Sequence, residues 1–157
     1  HRVDRRQRQM CIRDSLETIQ NTLTTAETGH LVFATLHTNN ATETIDRIID
    51  VFPAQKQAQI RTQLAATLKG TIAQKLVPTK QGRRIAACEI MFVDDAIRNL
   101  IRTGKTFQIK NVIQTGKIRG NQTMNDSLTN LYRLGIITKE TAVQYSPEPE
   151  LILGQLK

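Results

Sequence analysis

Three histidines are present, His1, His30 and His37, and one of them has chemical company. Thr35, Thr38 and Asn39 lie within two residues of His37, so an imidazole, two hydroxyls and an amide meet at one point of the chain. Such a set could touch a phosphate oxygen or an attacking water. The run before it, Leu31-Val32-Phe33-Ala34-Thr35-Leu36, is continuous, apolar, and partly β-branched and aromatic. It predicts a strand buried on both faces of a parallel sheet. In open α/β sheets ligands sit beyond the carboxyl ends of the strands, and His37 falls at that end. His30 falls at the other, about 20 Å away across six extended residues. Position alone divides His37 evenly between a phosphate-directed role and that of a histidine hydrogen-bonded at a strand–loop junction.

Other chemistry is thinly represented. The sequence contains no GxxxxGK[ST], GxGxxG, GxSxG or HExxH pattern, so it carries no loop that cradles phosphates through backbone N–H groups. With three histidines, and Cys11 and Cys88 77 positions apart, neither a metal centre nor a disulfide framework is expected. A reducing cytoplasm is the default compartment for such cysteine usage. Glu89, Asp94 and Asp95 are carboxylates without a partner at catalytic spacing. Spacing alone gives no self-contained enzyme.

The 157 residues are 39 % hydrophobic and 23 % charged, a globular composition for one domain or the larger part of one. Four Phe, two Tyr and no Trp argue against a stacking platform for single-stranded nucleic acid. No apolar run approaches the ~18 residues of a membrane span. HRVDRRQRQM lacks the apolar stretch of a secretory signal. Of the net charge of +8, a net +3 falls in residues 1–15, through five arginines and two aspartates. This basic arm reads as a solvated, poorly ordered terminus, with nucleic acid or acidic lipid as the alternative.

The elements that must position His37 follow from periodicity. A helix is expected from about Leu16 to Glu27, with Ile19 and Leu23 four apart. After Asn39-Asn40, the stripe Ala41, Ile45, Ile48, Ile49 and Phe52 predicts a second helix. Pro53 stops it and opens a third, with Ile60, Leu64, Ala65 and Leu68 on one face. Thr71–Val77 and Arg84–Phe92 read as a hairpin with a polar loop. Helices are then expected over 94–102, 106–115, 122–134 and 138–144, with Thr138 as an N-cap. Pro147 and Pro149 predict that 147–157 is a loose tail.

These residues carry a resemblance. Ala26-Glu27-Thr28-Gly29-His30-Leu31-Val32-Phe33 through Thr35-Leu36-His37-Thr38 resembles the histidine box of the type II/IV secretion ATPases. Thr44-Ile45-Asp46-Arg47-Ile48-Ile49-Asp50-Val51-Phe52-Pro53 is similar to the segment that follows it in the pilus-retraction branch. Ala96-Ile97-Arg98-Asn99-Leu100-Ile101-Arg102 resembles that branch's signature helix, and Gln114-Thr115-Gly116 and Gln122-Thr123-Met124 resemble its later helices. The resemblance covers roughly residues 16–142. It implies an α/β fold: a partial RecA-like P-loop NTPase sheet domain over 16–92, then a small C-terminal helical bundle over 94–146. It implies a hexameric ring, ATP and Mg²⁺ in the full-length parent, and an inner-membrane pilus platform protein as partner. The implied location is cytoplasmic, peripheral to the inner membrane through the pilus machinery. His37 becomes the catalytic candidate near the γ-phosphate, with Thr35 and Thr38 close to the nucleotide. Residues 96–102 are implied to couple hydrolysis to retraction. The same helix also reads as a packing element, with Ile97, Leu100 and Ile101 inward and Arg98, Asn99 and Arg102 free.

The extension and export branches usually carry a four-cysteine zinc insert. The short hairpin loop and lone Cys88 argue for the retraction branch. Met10-Cys11-Ile12-Arg13-Asp14 aligns with the family's G-E-x-R-D, so Cys11 stands where the family has its catalytic glutamate. A thiol cannot polarise water as a carboxylate does. No nucleotide is therefore expected to bind this chain tightly. Two alternatives stand beside this reading: a non-hydrolysing regulatory paralogue, and a basic nucleic-acid-binding module. The latter has no recognised motif, and its affinity would fall steeply with salt. No specific nucleic acid is expected.

Overall fold

The computed structural model describes residues 15–156, so the arm over 1–14, Cys11 included, lies outside the described residues. The chain divides into two compact units that interleave in sequence. One comprises residues up to Thr38 with Thr42–Lys69 and Val93–Ile109, and the other Asn39–Ala41, Gly70–Phe92 and Lys110–Lys157.

The first unit is helical because its apolar residues recur every three or four positions. Helix α1 (Leu16–Glu27) is capped by Ser15, whose hydroxyl accepts from the Thr18 N–H, and it buries Ile19 and Leu23. Helix α2 (Ala41–Asp50) buries Ala41, Ile45 and Ile49, followed by Phe52. Helix α3 (Ala54–Thr67) starts after Pro53 and buries Ile60, Leu64 and Ala65. Helix α4 (Asp95–Arg102) is capped by the Asp94 carboxylate, which accepts from the Ile97 N–H, and it buries Ile97 and Ile101 completely. Both α1 and α4 pack on α3. Gly104 ends this packing at φ +71°, a left-handed conformation costly for any residue with a Cβ.

The second unit is built on a hairpin. Strands β1 (Gly70–Pro78) and β2 (Arg84–Phe92) pair antiparallel, with Ala73 opposite Glu89 and Val77 opposite Ile85. Ala73, Val77, Ala87 and Met91 are buried on one face, while the other face exposes Ile72 and Leu76. The outer edge of β2 is satisfied by the segment beyond it: Ile90 exchanges two backbone bonds with Gln122, and the Phe92 N–H donates to Asn121 Oδ1 at 2.7 Å. Helices α5 (Ile109–Thr115), α6 (Met124–Arg133), α7 (Lys139–Tyr145) and α8 (Pro149–Gln155) complete the unit. Met124, Leu128, Leu131, Ile137, Ala142 and Ile152 join Val77 and Ala87 in one core. Thr138 caps α7 as expected, accepting from the Thr141 N–H.

Two expectations are corrected. Residues 31–36 form no strand; Leu31 is 75 % and Phe33 89 % exposed. A buried parallel strand needs neighbours, and among the described residues the sheet consists of β1 and β2 alone. The expected loose tail instead carries α8, with Ile152 fully buried. Pro149 sits in the first helical turn, where its missing N–H costs nothing.

The start of α6 gives a pH-dependent expectation. Thr123 and Asp126 form a reciprocal capping box, and Lys117 Nζ lies 2.6 Å from Asp126 Oδ1. Burial pushes the Asp126 carboxyl up, but hydrogen bonds from Lys117 and from the Thr123 hydroxyl and N–H outweigh it and hold it below its ordinary value. A depressed folded value means that this contribution is present above the unfolded value of about 4 and is lost as pH falls through the folded one. Asp126→Asn should therefore cost about 1 kcal/mol in urea unfolding at pH 7, and the gap to wild type should close by about pH 2. A gap independent of pH would remove the carboxylate's charge from the explanation.

Candidate functional site

The segment carrying the sequence-predicted site joins α1 to α2. At its beginning, Gly29 turns the chain at φ +91°, and His30 Nδ1 lies 3.1 Å from the Thr28 hydroxyl. At its end, Arg47 Nη1 donates to the His37 carbonyl at 3.0 Å, and the Thr38 and Thr44 hydroxyls lie 2.7 Å apart. Thr44 and Arg47 are three apart on α2 and so project from one side of it. Arg47 holds the His37 carbonyl and Thr44 the Thr38 hydroxyl, and neither engages the imidazole. His37 is exposed, and its ring makes no hydrogen bond among the described residues. Thr35 is exposed too, whereas Thr38 is half-buried with its hydroxyl shared with Thr44. His37, Thr35 and Thr38 are thus gathered on one segment, and His30 stands apart at its start.

The donor set suits the side of a phosphate group: an unspent imidazole, one exposed hydroxyl and a nearby guanidinium. It does not form a cradle. The N–H of Ala41, the first residue of α2, already donates to Glu89 Oε1 at 2.9 Å. That carboxylate takes the place an anion would occupy at a helix N-terminus. Among the polar concavities of the second unit, one is bordered by Lys117, Asp126 and Arg133 and another by Lys80, Arg83 and Arg84. His37 lines neither. Among the described residues, no three His, Cys, Asp or Glu side chains are grouped to hold a metal ion.

Helix α4 divides its residues sharply. Ile97 and Ile101 are buried, Leu100 is half-buried and Ala96 is exposed. Arg98, expected to be free, is not. Its Nη1 donates to the carbonyls of Ala65 and Ala66 at 3.2 and 3.3 Å, and its Nε lies 3.6 Å from Asp95. The last carbonyls of a helix lack intrahelical donors and favour a cation, so Arg98 closes the end of α3. Among the described residues Arg102 donates only to Asn99 Oδ1, at 3.1 Å, and both residues are exposed.

Sequence reasoning missed Glu89, Thr44 and Arg47 as supports of this region. For Thr44 and Arg47 a signal existed, since their helical spacing faces the incoming loop. Glu89 gave none, because its partner lies 48 residues away.

No helix among the described residues is long and apolar enough to cross a membrane. The model of the family "Type II/IV secretion system protein" matches residues 11–142. The type IV pilus retractation ATPase PilT of Pseudomonas aeruginosa is 49 % identical over 135 residues, covering 86 % of this chain and 39 % of the relative. A twitching motility protein of Neisseria gonorrhoeae is 50 % identical over 127 residues, covering 80 % and 34 %. This chain thus spans between a third and two fifths of the length of these relatives. The crystal structure of the pilus retraction motor PilT with bound ADP superposes with a TM-score of 0.78 at 47 % identity, over 87 % of this chain and 38 % of that one. The α/β architecture is accordingly that of part of a RecA-like ATPase of this kind. With more than four fifths of its length matched by the family pattern, the chain belongs to the type II/IV secretion system proteins.

Proposed function

We propose that this chain is the C-terminal part of an ATP-driven motor that powers type IV pilus retraction, coupling ATP hydrolysis to pilus disassembly. The observation that carries this reading is the fold match to a retraction motor at a TM-score of 0.78 and 47 % identity. In this reading residues 16–92 are the C-terminal part of the ATPase core, and 94–146 are a helical subdomain. The parent works as a hexameric ring in the cytoplasm against an inner-membrane pilus platform protein. When bound, ATP with Mg²⁺ supplies the phosphoanhydride to be cleaved. This chain contributes the side chains at its γ-phosphate end. The His37 imidazole orients or protonates there, and Thr35 offers a hydroxyl. Arg47 holds that segment at the His37 carbonyl, and Thr44 holds it at the Thr38 hydroxyl. Arg102 and Asn99 on α4 are the exposed polar groups through which hydrolysis is coupled to retraction.

The test is a chimera: the Pseudomonas aeruginosa relative with residues 16–156 of this chain in place of its matching segment. Residues beyond 142 are included because Ile152 is part of the core. The chimera should restore twitching to a strain lacking the motor. A folded chimera that hydrolyses ATP yet leaves the strain immotile would overturn the retraction reading. The 157-residue chain alone, without a phosphate loop, should show no ATP turnover above a no-protein control. Turnover that EDTA abolishes would contradict this.

A further inference from the structure

Ala41 is fully buried at the first position of α2. The first N–H groups of a helix have no partner within it, and one buried without an acceptor would carry an uncompensated desolvation cost. The acceptor here is the Glu89 carboxylate, at 2.9 Å. Glu89 lies in β2 opposite Ala73, on the face that also carries the buried Ala87 and Met91. Asn39–Ala41 and Gly70–Phe92 belong to the same compact unit, so this bond lies within that unit. It is charge-assisted, and its anion faces the positive end of a helix, so both effects strengthen it. Immediately upstream of Ala41 run Asn40, Asn39, Thr38 and His37.

We infer that Glu89 is a positioning residue for the His37 segment. By holding the Ala41 N–H, it fixes where the chain enters α2, and so the point from which His37 and Thr38 depart. The anchor of this segment is thus carried by a hairpin strand. This inference rests on the reading of His37 given above.

The hold itself is tested on the ¹⁵N-labelled 157-residue chain. Glu89→Ala should raise amide exchange at Ala41 about tenfold or more and shift the amide resonances of residues 37–40. Glu89→Gln keeps an acceptor oxygen and should change exchange by less than about threefold. Glu89→Asp, which withdraws the carboxylate by one methylene, should follow Glu89→Ala and serves where the alanine variant does not fold. Unchanged exchange and unchanged loop resonances in both would overturn the inference. In the chimera, Glu89→Ala should lower kcat about tenfold with little change in the KM for ATP, and Glu89→Gln should restore most of it. In a His37→Ala background the same substitution should have no further effect on kcat. An equal loss with and without His37 would make Glu89 merely structural and overturn the inference. If His37→Ala itself leaves kcat intact, the reading beneath has failed. If His37→Ala lowers kcat and Glu89→Ala does not, only the positioning has failed.

Discussion

His37→Ala is expected to lower ATP turnover in the chimera about a hundredfold, the scale of losing a positioned proton-transfer group. His30→Ala should leave turnover within about threefold, as a substitution at an exposed surface position does. Both histidines are exposed, so solvent access does not separate them. Their surroundings do. The His30 ring lies 3.1 Å from the hydroxyl of Thr28, two residues away, and contributes to the turn at Gly29. Among the described residues the His37 ring makes no hydrogen bond, while its carbonyl is held by Arg47 and the neighbouring Thr38 is held by Thr44. A fixed backbone with an unspent side chain is the arrangement a positioned imidazole requires. Because α2 makes that fixation without the ring, His37→Ala should also leave the melting temperature nearly unchanged. Equal losses of turnover in the two variants, at equal melting temperatures, would sink the assignment.

Much of the fold was legible because it depends on local periodicity. Of the stripe Ala41, Ile45, Ile48, Ile49 and Phe52, all are buried except Ile48, which is half-buried, and the hairpin pairs over Gly70–Pro78 and Arg84–Phe92 within a residue of its expected limits. The failures share a cause, which is dependence on a distant partner. Leu31–Leu36 has the composition of a buried strand, but pairing is a property of two segments and composition describes one. Pro149 taken alone marks an end of order, although a proline in a first turn is equally a beginning; Ile152 and its neighbours in the core decide which. Arg98 looked free because α4 alone offers it nothing but Asp95. The carbonyls it meets lie more than 30 residues upstream, at the end of α3. Glu89 was invisible for the same reason. The candidate site was legible in its types and their order, and illegible in what holds it.

That finding about Arg98 changes how α4 must be dissected. Ile97→Ala and Ile101→Ala should each cost about 2–5 kcal/mol, since both side chains are fully buried and truncation leaves a cavity. Arg98→Ala should cost about 1 kcal/mol, because it removes the donor to the Ala65 and Ala66 carbonyls. A loss of retraction in that variant would therefore mix packing with coupling. Arg102 is the cleaner probe. It is exposed and, among the described residues, bonds only within its own helix, to Asn99, so Arg102→Ala should change stability by less than about 0.5 kcal/mol. An exposed arginine is also a favoured anchor at protein contacts, where its planar guanidinium pairs bidentately and stacks. In the chimera, Arg102→Ala should keep normal melting and ATP turnover and lose most pilus retraction, and Arg102→Lys should recover little of it, since a point charge does not reproduce the fork. Retraction at the wild-type rate in Arg102→Ala would reduce α4 to a packing helix. Lost turnover with unchanged melting would place Arg102 in hydrolysis rather than in its coupling to movement.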